Sequence, residues 1–313
     1  MGILIKHLLN SFLTAKNLSK NKTVIIFLEI FIIRFFFAFM FVRRLFNKKT
    51  ILISGVKSGN LFQQKDVKTD LVLRKLEQKG YCDDLRLNKN EVDKVINEIS
   101  LKNFSVSFKG KKNTPGFSMS INKNDNIHSI LKKSKKFNLS HVALEIDLNK
   151  TENIKRIATS FFFLDIAKKY IGNNNISISS LCYISNSFET SEIEKKDNAQ
   201  FFHYDNDFKK FFKVFLYLDD VDKNSGPHSF VKFSHKDRHF EHLLSERIDD
   251  QEIQRSYGDH NVVIFDRPKG SLIFEDTFGF HKGTAPKKNS RIVLKLVYGK
   301  GRGIGIYKNS IFI

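Results

Sequence analysis

The chain has 313 residues, of which 41% are hydrophobic and 32 are Phe, and this composition supplies a large apolar core and excludes wholesale disorder. Its two cysteines, Cys82 and Cys182, are too few and too far apart for a disulfide framework or a zinc site, so we expect buried thiols in a reducing compartment. The formal net charge of +20 predicts a basic surface that attracts phosphates, anionic lipid or acidic substrates, without selecting one of them.

Residues 1–49 differ from the rest of the chain and are interpreted as a separate N-terminal segment. Residues 1–15 have the pattern of a short amphipathic helix, and residues 24–42 form an apolar run interrupted by Glu29 and Arg34. A membrane span needs about 20 apolar residues with few charges, so this run is borderline. Three interpretations stay open: a helix in the membrane interface, a helix buried against the following domain, and a true span.

Residues 50–313 are predicted to form one globular domain that begins with helices. The first helix has apolar periodicity from Val67 to Gln78 and is predicted to stop at Gly80. The second helix is predicted to begin at Asn88 and to run to about residue 100. Asn88 and Glu91 have the spacing of a capping box, in which each side chain binds a backbone N–H of the first turn.

An alternating strand over residues 141–147 separates these helices from a third one. The third helix is predicted over residues 151–171 and ends near Gly172. Its apolar face is predicted to consist of Ile154, Ile157, Phe161, Leu164, Ile166 and Tyr170.

The second half of the chain has the pattern of short strands separated by turns. These strands are ISISSLCYIS, AQFFHYD, FFKVFLYLDD, SFVKFSH, NVVIF, GSLIFED and RIVLKLVYG. Strands of this length and spacing predict a sandwich, a barrel or a jelly roll. Residues 236–260 are predicted to form a polar, partly helical insertion or lid, with His239, His242 and His260 in solvent.

Two short motifs have the spacing of metal ligands. Iron(II) in one class of oxygenase is held by two histidines and one carboxylate on one side, which leaves positions for co-substrate and O2. A His-x-Asp motif places both side chains on one face of an extended segment. His203-Tyr204-Asp205 and His235-Lys236-Asp237 both match, and so short a motif also occurs by chance.

The residues after Asp205 distinguish the two matches. Asp219-Asp220, Gly226-Pro227 and Ser234-His235 follow in this order, and the segment resembles the phytanoyl-CoA dioxygenase family. In that family the first His-x-Asp binds metal, and a strand ending in acidic residues, a Gly-Pro turn and a Ser-His element follow. The resemblance therefore implies that His203 and Asp205 are ligands and that His235 is structural.

The segment from Gly270 to Arg291 resembles the second metal segment of the same family. The resemblance implies that His281 is the third ligand and that Arg291 binds the distal carboxylate of 2-oxoglutarate, a task suited to a permanently charged, bidentate side chain. Some relatives carry a hydroxyl residue two positions after this histidine, where this chain has Gly283. Thr284 is therefore the candidate for that co-substrate contact.

The resemblance implies an α+β fold with a double-stranded β-helix core, flanked by N-terminal helices. It implies an oxidoreductase that uses Fe(II), 2-oxoglutarate and O2, hydroxylates a substrate and releases succinate and CO2. His228 is a candidate substrate contact, whereas Asp276 is interpreted as a turn residue. Desaturation, epimerisation or cyclisation would use the same ligands, so the motifs leave the reaction outcome open.

Two other classes of function, a catalytically silent binding protein and a nucleic-acid oxygenase, fit the sequence less well. A catalytically silent β-helix that acts as a membrane-associated binding protein would lack a ligand or the arginine, and all four are present. Nucleic-acid oxidation is disfavoured because the basic residues form no stripe with interleaved aromatic residues. The substrate is expected to be a small molecule, a lipid-linked compound or a glycan. The expected location is the cytoplasm, with residues 1–49 as a candidate for contact with the inner face of a membrane.

Overall fold

The computed structural model of the chain describes residues 60–99, 104–108, 125–172, 175–188, 195, 199–208, 210–242, 247–300 and 310–313. The predicted N-terminal segment, residues 1–49, lies outside the described residues, so its three interpretations stay predictions. Among the described helices, none combines the length and the apolar character that crossing a membrane requires.

The described strands form two sheets in which every pairing is antiparallel. In chain order they are β1 (Tyr81–Arg86), β2 (Phe104–Phe108), β3 (His141–Ile146), β4 (Ile176–Ser185), β5 (Phe211–Tyr217), β6 (His228–Val231), β7 (Val262–Phe265), β8 (Ser271–Glu275), β9 (His281–Gly283), β10 (Arg291–Lys300) and β11 (Ile311–Phe312). The main sheet has the order β1-β8-β5-β10-β4-β3-β2, with β11 also paired to β4, and the minor sheet has the order β7-β6-β9.

The two sheets pack face to face through an apolar cluster. Phe215 and Tyr217 of the main sheet belong to the same buried cluster as Phe230 and Phe265 of the minor sheet. Because side chains alternate along a strand, Lys213 shares this inner face of β5. The α+β class and the strand-rich second half are confirmed, while closure into a double-stranded β-helix stays a prediction.

Helices cover the outer face of the main sheet. They are α1 (Thr69–Lys79), α2 (Lys89–Glu98), α3 (Ile127–Lys136), α4 (Asn153–Ala158) and α5 (Phe161–Ile171). Aromatic rings join this layer to the sheet: Phe163 stacks on Phe274 at 5.6 Å between ring centroids, and Tyr170 contacts Phe212 edge to face at 5.8 Å. Both free thiols are buried, as predicted.

Gly80 ends the first helix, as the sequence predicts. Its φ of 88° is left-handed, and its N–H donates to the carbonyl of Leu76. A Cβ at this position would lie 2.7 Å from His235 Nδ1 and 2.7 Å from the Phe230 ring. The helix end therefore needs glycine for its backbone conformation and for close packing on the minor sheet.

The predicted capping box at the second helix is wrong. Asn88 is the N-cap residue of α2, but its side chain makes no cap hydrogen bond and its Nδ2 donates to the carbonyl of Asn60. Glu91 instead forms ion pairs with Lys94 and Arg156. Long-range partners thus compete successfully with the local cap.

The predicted helix over residues 151–171 is two helices with a break at Thr159 and Ser160. Thr159 Oγ1 donates to the carbonyl of Lys155 at 2.8 Å, and Ser160 is extended with a ψ of 153°. Hydroxyl side chains favour such local bonds over a continuous helix. The break rotates Phe161 away from the predicted apolar face, where it is 84% exposed, and Phe162 and Phe163 are buried in its place.

The insertion is partly helical, as predicted, because helix α6 (Asp250–Tyr257) lies within residues 236–260. Residues 239–242 belong to a separate compact unit and contain a short 3-10 turn. His260 is exposed, as expected, whereas His242 is buried, so its prediction was wrong. The role of the insertion as a lid stays a prediction.

The start of α4 is capped by a glutamate from α2. Glu98 Oε1 accepts hydrogen bonds from the backbone N–H groups of Glu152 at 2.6 Å and Asn153 at 2.9 Å, and Oε2 accepts from Ile154 at 2.8 Å. A carboxylate at a helix N-terminus satisfies unpaired N–H groups and is favoured by the helix dipole.

We expect Glu98→Ala to lower the free energy of unfolding by about 1–2 kcal/mol, because it removes this cap. Urea denaturation measures the change. Glu152→Ala, which removes an exposed glutamate with no side-chain cap bond at the same junction, is the matched control and should change stability by less than half as much. Equal losses in both variants would contradict the capping role.

Candidate metal centre

The segment that carries His203 and Asp205 is held by backbone pairing to other parts of the chain. His203 and His281 exchange two backbone hydrogen bonds of 3.0 and 2.8 Å, and the Asp205 N–H donates to the carbonyl of Thr277 at 2.8 Å. The predicted strand AQFFHYD is therefore wrong, since only isolated bridges at Phe202 and His203 occur there. These bonds bring two segments remote in sequence side by side.

This pairing brings the three predicted ligands together. The ligand atoms of His203, Asp205 and His281 all lie within 4.8 Å of one another. His281 Nε2 is 3.2 Å from Asp205 Oδ2, and the two imidazole ring centroids are 4.3 Å apart. Both histidines are buried. Two nitrogens and one carboxylate oxygen on one side of a point match a facial metal-ligand triad.

Each histidine has its second ring nitrogen bound to the backbone. His203 Nδ1 lies 3.0 Å from the carbonyl oxygen of Phe201, and His281 Nδ1 lies 3.0 Å from that of Gly279. A carbonyl can only accept, so each Nδ1 is assigned as the N–H donor. With Nδ1 bound to the backbone, Nε2 is the ring atom of each histidine that faces Asp205 and the site, and such outer hydrogen bonds are what orients metal-binding histidines.

The surroundings of the triad favour a neutral imidazole at His203 and an ionised carboxylate at Asp205. Burial lowers the pKa of His203 well below its ordinary value, and His281 adds to this effect. Burial alone would raise the pKa of Asp205, but Lys213 and the two histidines outweigh it and hold that pKa well below its ordinary range. His203 and Asp205 therefore have the protonation states in which they can bind a divalent cation.

Lys213 is a buried partner of the ligand carboxylate that sequence reasoning missed. Its Nζ lies 2.6 Å from Asp205 Oδ2 and 2.7 Å from Asp207 Oδ2. A lone lysine within the apolar strand FFKVFLY is the signal that could have identified it. Lys213 fixes the orientation of the Asp205 carboxylate from the main sheet.

Arg238 joins the two ligand-bearing segments. Its guanidinium carbon lies 3.8 Å from the ring centroid of Tyr204, which stands between the two ligands of the His-x-Asp motif, and 5.0 Å from that of Phe280. It also donates to the carbonyl of Phe278. Cation–π contacts and this bond hold both segments at a fixed separation.

Arg291 lies at the start of β10 with unsatisfied donors. It is 8% exposed, and its Nε and Nη1 have no hydrogen-bond partner among the described residues. Burial lowers its pKa. A Cβ added at Gly283 would lie 3.4 Å from Nη2, so the missing side chain leaves space beside the guanidinium. A buried cation without a partner is unfavourable and points to an anionic ligand.

Thr284 follows Gly283, and its N–H lies 3.3 Å from the carbonyl of Pro227. In the described part of the chain, no hydrogen bond connects its hydroxyl to Arg291. Its predicted co-substrate contact therefore stays a prediction without a structural link.

His228 lies beside the triad and forms a pair with Glu275, a residue that sequence reasoning missed. His228 Nε2 is 2.9 Å from Glu275 Oε2, and the His228 ring is 5.6 Å from that of His281. Burial lowers the pKa of His228 to about 3 and raises the pKa of Glu275 to about 8. The contact is thus a hydrogen bond between two neutral groups at neutral pH.

The other motif residues have structural contacts. His235 Nε2 lies 3.2 Å from the carbonyl of Glu77, in agreement with the structural role inferred for it. Asp276 accepts hydrogen bonds from the hydroxyl of Tyr170 and from the N–H of Phe278, and so forms the turn that leads to His281. The second His-x-Asp match contributes no residue to the triad.

The protonated Glu275 predicts a pH dependence of stability. Its folded pKa of about 8 exceeds the ordinary value of 4.5, so between these values the folded protein holds a proton that the unfolded chain has lost. Below pH 6.5, the ordinary pKa of histidine, the lowered pKa values of His228 and His203 act in the opposite direction. Stability of the metal-free protein should therefore fall as pH rises from about 6.5 to about 8, by up to about 1.4 kcal/mol per pH unit. Urea unfolding at a series of pH values compares the wild type with Glu275→Gln, which should have the flatter profile. Parallel profiles would contradict the assignment.

Comparison with known proteins gives structural likeness only. No protein-family model matches the sequence, and no curated protein matches it significantly. HygX from Streptomyces hygroscopicus, solved with nickel, 2-oxoglutarate and hygromycin B, shares 12% identity at a TM-score of 0.46, over 74% of this chain and 86% of that one. The non-haem α-ketoglutarate-dependent carbocyclase SnoK from nogalamycin biosynthesis shares 14% identity at a TM-score of 0.47, over 82% and 89%. Likenesses this weak do not by themselves establish a shared fold or function.

Proposed function

We propose that the chain is an Fe(II)- and 2-oxoglutarate-dependent dioxygenase of the phytanoyl-CoA dioxygenase-like kind, built on a double-stranded β-helix, which hydroxylates a small organic substrate. One observation carries the proposal: the group His203, Asp205 and His281 occurs in the same protein interior as the unpaired, buried guanidinium of Arg291. A metal site alone has many uses, but a buried anion-binding arginine near a three-ligand site fits a metal-bound dicarboxylate co-substrate.

The donor set fits Fe(II). Two imidazole nitrogens and one carboxylate are the ligands of non-haem iron oxygenases, and three protein ligands leave positions for further ligands. The fixed Nδ1 contacts of His203 and His281 present both Nε2 atoms to the same point. Cys82 and Cys182 are buried elsewhere and take no part in the triad, so the site lacks the soft ligands of a thiolate-bound metal.

The residues of the chain would divide the work of the reaction. Fe(II), with 2-oxoglutarate and O2, supplies the oxidation of a C–H bond and the release of succinate and CO2. Arg291 would bind the distal carboxylate of 2-oxoglutarate through paired N–H donors. Lys213 holds the ligand carboxylate of Asp205 in place. The apolar cluster around Phe215 excludes water from the inner face.

Four earlier predictions stay part of the proposal. Thr284 would supply a hydroxyl to the co-substrate, and His228 would contact the substrate beside the metal. Residues 1–49 would form a segment distinct from the oxygenase domain at 50–313. That segment would bring a cytoplasmic enzyme to the inner face of a membrane.

An anaerobic titration with Fe(II) and then 2-oxoglutarate tests the proposal. The wild type should develop the visible metal-to-ligand charge-transfer band of such complexes, and His203→Ala should abolish it by removing a ligand. Arg291→Met should still form the band, but half-saturation should need about 10–100-fold more 2-oxoglutarate, the loss expected for hydrogen bonds to a charged group.

Two exposed residues provide matched controls. His260→Ala and Arg255→Met remove the same side-chain types from the surface and should leave the titration within about twofold of the wild type. Absence of the band in folded wild-type protein would refute the oxygenase and favour a catalytically silent binding protein.

A further inference from the structure

The inner face of the main sheet carries three buried cations with different partners. Lys213 is neutralised by Asp205 and Asp207. Arg291 has no carboxylate partner among the described residues and is assigned above to the co-substrate. Lys295 is the third, and the proposed function does not use it.

Lys295 is buried without a counter-charge. It is 9% exposed, and its Nζ donates to the hydroxyl of Tyr183 at 2.8 Å and lies 4.9 Å from the centre of that ring. No carboxylate within the described ranges forms an ion pair with it. An ammonium group has three N–H donors, and buried lysines normally have charged partners. Two donors of Lys295 are therefore available to a ligand.

Lys295 and Arg291 stand at separate positions of the same strand. Lys295 is four residues beyond Arg291 on β10, and both side chains point to the inner face. At the rise of an extended strand, four residues separate their Cα atoms by about 13 Å. Each of the two cations can therefore bind an anionic group of its own.

A third polar group lies next to this lysine. Ser179 on β4 pairs with Val297, whereas Lys295 pairs with Leu181, so Ser179 is the diagonal neighbour of Lys295 on the inner face. The Ser179 side chain is buried, and its Oγ has no hydrogen-bond partner among the residues that the structure describes. A buried hydroxyl without a partner indicates a ligand or a water molecule that is needed to satisfy it.

The same interior connects this position with the triad. Lys295 pairs across the sheet with Phe215, whose ring lies 4.5 Å from that of His228. The His228 ring in turn lies 5.6 Å from that of His281. Lys295 also helps to lower the pKa of His228, after burial, Arg291 and Lys213. Only the Phe215 ring and the His228 imidazole would therefore separate a molecule bound at Lys295 from the candidate metal ligands.

We propose that Lys295, Tyr183 and Ser179 form an anion subsite that binds a carboxylate or phosphate group of the substrate. Lys295 would supply the charge. Tyr183 accepts a hydrogen bond from Lys295 and so has its own proton available for the ligand, as has Ser179. This inference rests on the proposed function, because it takes the bound molecule to be the substrate of the oxygenase. It narrows that substrate to an organic anion.

Calorimetric titration of the full-length protein, loaded with nickel(II) and 2-oxoglutarate, tests the subsite. The probes are benzoate and phenyl phosphate, which separate the two anions, with benzamide as the neutral match. The wild type should bind at least one anionic probe and should not bind benzamide comparably. Lys295→Met should weaken that binding by about 10-fold or more, and Tyr183→Phe by a few-fold. Lys300→Met removes an exposed lysine from the same strand and should change it by less than about twofold.

Three results would overturn the subsite. The first is that neither anion binds to the wild type. The second is that Lys295→Met and Lys300→Met bind the anion equally well. The third is that Lys295→Met loses 2-oxoglutarate affinity in parallel, which would assign the lysine to the co-substrate. Tyr183→Phe keeps the test open should Lys295→Met fail to fold, since it removes only a hydroxyl. Repeating the titration with metal-free protein separates this inference from the oxygenase. Lys295-dependent anion binding there would stand even if the protein bound no 2-oxoglutarate.

Discussion

The pair of backbone hydrogen bonds between His203 and His281 is the constraint on which the site depends. These bonds join two segments far apart in sequence and set the separation of the two imidazoles. Each ring is then oriented by its own Nδ1 contact to a carbonyl two residues earlier. Because Asp205 is tied to Thr277 by a further backbone bond, all three candidate ligands are positioned by the main chain. Positioning of this kind is available before any metal binds.

The charges of the interior follow from this arrangement. A buried charge destabilises a fold unless it is paired, and the described inner face has one cation with carboxylate partners, Lys213, and two without, Arg291 and Lys295. The helix layer on the outer face, with Phe163 stacked on Phe274, provides apolar packing that offsets this cost. Unsatisfied groups in an otherwise consistent structure are expected at functional sites. We therefore assign Arg291 to the proposed co-substrate and Lys295 to the proposed substrate anion.

Sequence reasoning was successful where the signal was local and ordered along the chain. Six of the seven strands predicted for the second half and the end of α1 at Gly80 followed from periodicity and glycine chemistry. The proximity of His203 to His281 followed from the family resemblance. It failed where partners are distant: Asn88 lost its local cap to a backbone contact with Asn60. Lys213, Glu275 and Lys295 were missed because their importance depends on cross-strand register, which a single sequence does not specify. Charged residues inside apolar strands were nevertheless visible in FFKVFLY, SLIFE and RIVLKLVYG.

The central claim is that one metal ion and one dicarboxylate occupy this interior together. A crystal structure of the protein grown with nickel(II) and 2-oxoglutarate, with the metal located by anomalous scattering, tests it most directly. We predict a metal peak at bonding distance from His203 Nε2, His281 Nε2 and a carboxylate oxygen of Asp205, and the distal carboxylate of 2-oxoglutarate on the Arg291 guanidinium. A metal bound elsewhere, or an Arg291 side chain without the carboxylate in a metal-loaded crystal, would contradict the account.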